Sequence, residues 1–107
     1  MNSLRRFLLL PFFILFALFG TAAHAWDDED DPLGNVQHIA ANGLTIEEVE
    51  QVLYDPTNRP IVSRSSGRPA VFGRTATGTD VLVVYEVLET EPVLVIRPVT
   101  AYEPQPE

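Results

Sequence analysis

The sequence predicts an α+β domain in which two short N-terminal helices pack on a four-stranded antiparallel meander, preceded by an apolar signal or anchor segment. Three observations predict it. Apolar residues recur at helical spacing up to residue 54, the pattern switches to strand-like alternation from Arg59 onward, and an uncharged stretch precedes both.

The uncharged stretch comes first in the chain. Arg5 and Arg6 open it, residues 7–20 carry no charge, and Ala23 and Ala25 supply a small-x-small cleavage pattern. This is the layout of a secretory signal peptide over residues 1–25. If uncleaved, its roughly 20 apolar residues are long enough for a membrane anchor. The expected location is therefore exported, periplasmic or secreted; the alternatives are the inner membrane, or the cytoplasm if the start codon is mis-called. The rest divides into an acidic linker over 26–34, an α+β domain over 35–102 and a disordered proline-rich tail over 103–107.

Charge and cysteine content narrow the function classes. The chain has 7 basic side chains, all arginine, against 15 acids, for a net charge of −8. Without the leader only Arg59, Arg64, Arg68, Arg74 and Arg97 remain. Such a surface repels nucleic acid at long range, so any RNA contact must be local and salt-sensitive. The absence of cysteine removes disulfides, thiol nucleophiles and thiolate metal sites. The acids at 27–31 lack the spaced ligands and glycine of a calcium loop and read as a solvated run. No metal or cofactor is expected, and Trp26 reads as a hydrophobic anchor against the core.

Val36, Ile39 and Ala40 place a short helix over 35–41, stopped at Gly43. Thr45 and Glu48 form a capping-box pattern, with Leu44 positioned to staple onto Val49, so a second helix runs from 45 to 54. Ile46, Val49, Val52 and Leu53 give it one apolar stripe, and Asp55-Pro56 ends it. Strands are expected over 61–64, 69–75, 80–88 and 93–101, joined by short turns. The third is apolar on both faces apart from Tyr85 and Glu86, as suits a central strand.

Four of the five remaining arginines lie between residues 59 and 74. Guanidinium forks match phosphate or carboxylate. The other reading of these side chains is solvated charge that guards a strand edge. In an alternating strand Arg68 and Arg74 need not point the same way, whereas Arg64 and Arg68 flank one tight turn. His38 sits beside the apolar stripe of the first helix; a lone histidine there is more often a surface side chain than a ligand or general base. P-loop, GxSxG and HExxH motifs are missing, and no base is well placed for Ser63, Ser65 or Ser66 to act as a nucleophile.

The ordered set NVQH (35–38), IAANGLT (39–45), EEVEQVLYDP (47–56), RPAVFGRT (68–75) and the strand at 81–85 resembles the BrnT-type toxin family across most of residues 35–102. The resemblance implies a RelE-like fold and the ribonuclease half of a toxin–antitoxin pair, with an antitoxin-like protein as partner. It implies a metal-independent endoribonuclease in which Arg64, Arg68 and Arg74, with Arg97, clamp phosphate and His38 or Tyr85 transfers a proton. The family's lysines are absent and Thr79 stands where a basic residue is expected, so the expectation is a divergent member with weakened or lost catalysis. A small exported or membrane-tethered, non-enzymatic interaction module is the alternative. RNA is a partner only if catalysis is retained, and the membrane only if the leader is uncleaved.

Overall fold

The computed structural model describes residues 22–64 and 66–105. The apolar leader up to residue 21, Ser65 and the last two residues of the tail lie outside them. The described chain runs β1 (Ala23–His24), α1 (Asn35–Ala41), α2 (Ile46–Tyr54), β2 (Pro60–Val62), β3 (Pro69–Arg74), β4 (Asp80–Glu89) and β5 (Val95–Tyr102).

The strands form one five-stranded sheet in the order β1-β5-β4-β3-β2. The last four make the expected antiparallel meander. The sheet is mixed, however, because β1 adds a fifth strand parallel to β5, with Ala23 opposite Val95 and His24 opposite Ile96. Ala23 N donates to Leu94 O at 2.9 Å and Ala25 N to Ile96 O at 2.8 Å. Ala22 is itself buried. Ala23 and His24, assigned to the leader from sequence, are therefore a strand of the sheet, and Ala25 is hydrogen-bonded beside them.

The two helices form where local chemistry places them. Thr45 Oγ1 accepts from Glu48 N, and the Glu48 carboxylate accepts from Thr45 N, which closes the capping box. Leu44 and Val49 are both buried in one cluster, as the staple requires. At the end of α1 the chain turns through Gly43 at φ 84, a left-handed conformation that suits glycine.

Both helices lie on one face of the sheet. Ile39, Leu44, Val49, Val52 and Leu53 pack there on Val71, Val81, Val83, Tyr85, Ile96 and Ala101, with Trp26 and Leu94 at the margin. Each fully buried valine or leucine contributes about 1.5–3 kcal/mol. The alternate positions point away from the helices. Pairing aligns Ile61 with Ala70, Ala70 with Val84, Phe72 with Leu82 and Leu82 with Tyr102, so an apolar band crosses the opposite face, with Ala70 and Val84 buried and Ile61 and Phe72 exposed.

Among the described residues, no helix is long and apolar enough to cross a membrane.

Candidate interaction edge

The two edges of the sheet differ in how their backbone groups are satisfied. At the β5 edge, the Asn35 amide donates to Ala25 O at 3.0 Å and to Pro98 O at 2.8 Å. Its carbonyl accepts from Asp27 N at 2.9 Å, and Asp27 Oδ2 accepts from Asn35 N at 2.8 Å. Two helical turns further, at the far end of α1, Asn42 donates to Ala101 O at 2.9 Å. β1 and the two asparagines together close this edge.

The acidic segment expected to be a solvated linker takes part in that closure. Arg97 Nη2 lies 2.7 Å from Asp27 Oδ2, and its Nη1 lies 3.6 Å from Glu86 Oε2. The backbone hydrogen bond from Asn35, reinforced by Arg97, holds the Asp27 carboxyl below its ordinary range. Behind β1, Glu50 of α2 accepts from Trp26 Nε1 at 3.0 Å and lies 3.4 Å from His24 Nδ1. The His24 ring stands 4.6 Å from the Tyr54 ring, and its Nε2 is buried without a hydrogen-bond partner among the described residues. Burial pushes the His24 imidazole down, against a smaller upward pull from Glu50.

Among the described residues the β2 edge carries no such closure. Ile61 is 52% exposed and Val62 71% exposed, and Phe72 on the neighbouring strand is 47% exposed. Arg64 and Arg68 stand at the exposed ends of the turn that joins β2 to β3. Backbone bonds shape that turn: Ser63 N donates to Arg68 O at 2.7 Å and Gly67 N to Ser63 O at 2.8 Å, with Gly67 at φ 72. Ser66 Oγ accepts from Arg68 N at 3.2 Å. Neither guanidinium has an acidic partner among the described residues. Arg59, just before β2, donates from its side chain to Pro56 O at 3.3 Å.

The sequence-predicted site residues do not converge on one phosphate. Arg64 and Arg68 share the turn, but Arg74 lies six residues along β3 from Arg68, roughly 20 Å at strand rise. Arg74 is neutralised there by Asp80, with Nε 2.6 Å from Oδ1 and Nη2 3.3 Å from Oδ2. That bond raises the Arg74 pKa and lowers that of Asp80. His38 is exposed on α1, which packs over β5, three strands and roughly 14 Å across the sheet from β2. Tyr85 is packed in the core at 2% exposure, where burial pushes its phenol up. Among the described residues no group of three or more His, Asp or Glu is placed to hold a metal ion.

Sequence reasoning missed His24, Asp27 and Asn35. The polar residue at the start of the first helix was a usable signal, since no acid or hydroxyl residue stands there to cap it. Neither the protein-family models nor the curated proteins compared with this chain match it.

Proposed function

We infer that the chain is a small non-catalytic interaction module that takes an acidic, partly apolar partner segment at the β2 edge. One observation carries this. Of the five arginines outside the leader, Arg74 and Arg97 are neutralised by carboxylates, whereas Arg59, Arg64 and Arg68 have no acidic partner among the described residues and flank the exposed Ile61 and Val62. Exposed apolar side chains on a strand edge flanked by one sign of charge are a docking feature. Short carboxylate segments suit it better than RNA, because a chain at −8 repels a long polyanion that extends beyond this edge.

A second reading is the divergent BrnT-like ribonuclease toxin fold expected from the resemblance. It is supported by the element order, two helices followed by an antiparallel meander, and by the pair Arg64 and Arg68 at one turn. On that reading the partners are RNA and an antitoxin-like protein. Export or membrane anchoring is supported by the leader's composition alone.

One experiment separates the two. The full chain and its Arg64→Ala/Arg68→Ala variant are titrated, at low salt, with a labelled acidic peptide and with a labelled single-stranded RNA, and the RNA is then examined for cleavage. Peptide binding that the variant loses supports the interaction module. RNA cleavage by the wild type that the variant lacks would replace it with the ribonuclease.

A further inference from the structure

We propose that the segment docked at the β2 edge belongs to a second copy of this chain: its acidic loop between β1 and α1, led by Leu33. The proposal rests on the reading of that edge as a docking surface and names its occupant.

The loop has the complementary chemistry. Asp28, Glu29, Asp30 and Asp31 are exposed, and Leu33 is 93% exposed. A leucine so fully presented among acids is the counterpart of Ile61 and Val62 among arginines. The loop is also held in shape, which limits the entropy lost on docking. Asp31 N donates to Asp28 O at 3.0 Å and Gly34 N to Asp31 O at 3.0 Å. The Asp28 carboxylate accepts from Asp30 N at 3.0 Å, and that of Asp31 from Leu33 N at 2.9 Å. The side chains of Glu29 and Asp30 take no part in these bonds.

Geometry requires the occupant to come from another copy. The loop leaves β1 at one edge of the sheet and β2 forms the other, roughly 19 Å away across five strands. A symmetric pairing of two β2 edges is opposed on two counts. It sets the arginines of both copies against each other, and Pro60 offers no N–H to a neighbouring strand. A loop-to-edge contact uses two different surfaces of the same chain. It is therefore heterologous, so copies add head to tail.

The test is sedimentation velocity of the full chain over a range of concentrations, at low salt and at about 1 M salt, where the Debye length falls to about 3 Å. The expected result is concentration-dependent association at low salt that is lost at high salt. The Arg64→Glu/Arg68→Glu variant and the Glu29→Arg/Asp30→Arg variant should each be monomeric alone, and mixing them should restore association because each supplies the charge the other lacks. A wild type that stays monomeric, or variants that still associate through an apolar leader, overturn the proposal. In either case a synthetic peptide of residues 27–34 is titrated onto the chain. If it fails to bind while an unrelated acidic peptide binds and loses affinity in Arg64→Glu/Arg68→Glu, the second copy is overturned and the docking edge stands. If no acidic peptide binds, both fall.

Discussion

The sheet has two edges with opposite treatments. At β5, backbone acceptors are met by β1, Asn35 and Asn42, and Arg97 is neutralised by Asp27 and Glu86. At β2, apolar side chains are exposed beside three arginines with no acidic partner among the described residues. Both edges have the same intrinsic hazard, an unpaired strand. One is closed by the chain's own hydrogen bonds and the other is guarded only by charge, a guard that repels a like edge and attracts an acidic one. An edge sealed by bonds contributes to folding, whereas an edge guarded by charge is left available for association.

The largest expected break in this contrast is at the closed edge. Asn35→Ala removes the donors to Ala25 O and Pro98 O and the acceptor for Asp27 N, and should cost about 3 kcal/mol by urea denaturation. A variant within error of wild type would show that β1 does not depend on this clamp.

A smaller effect is expected from acid. The folded pKa of His24 lies below its ordinary 6.5, so the unfolded chain binds the proton first. The stability that the neutral ring contributes is fully present above that value and is lost as pH falls through it. Glu50 and Tyr54 face the ring from α2, while on the β5 side Arg97 is held by Asp27 and Glu86. His24→Phe should flatten the decline in melting temperature between about pH 7 and pH 5.5, where histidine titrates. Trp26, the chain's one tryptophan, reports the same site by fluorescence, since its indole shares Glu50.

The smallest stability change is expected at the open edge. Arg64→Glu with Arg68→Glu should leave the urea midpoint within about 0.5 kcal/mol of wild type, because exposed unpaired charges support little. A large loss would make these arginines structural and remove the distinction between the edges.

Most of the meander and both helices were legible in the sequence because local signals set them. The capping box at Thr45 and Glu48, the stop at Gly43 and the change of period after Arg59 all act within a few residues. β1 was not legible. It is two residues long, too short for any alternation, and it pairs in parallel with a strand some 70 residues later. Its small residues also satisfy a cleavage pattern, which supplied a competing explanation. The arginines were legible as a cluster but not as a site. Their separation into paired and unpaired members depends on partners such as Asp80 and Asp27, which only the folded chain brings near.

The position of β1 has a consequence for processing. A peptidase that reads Ala23 and Ala25 must hold that segment extended in its own cleft, whereas the sheet binds the same residues against Leu94 and Ile96. Cutting and folding are thus rival claims on four residues. In the folded chain Ala25 N is hydrogen-bonded to Ile96 O, which holds the segment in the sheet. Were the chain cut after Ala25, it would lose the strand that pairs with Val95 and Ile96, and β5 would become an open edge.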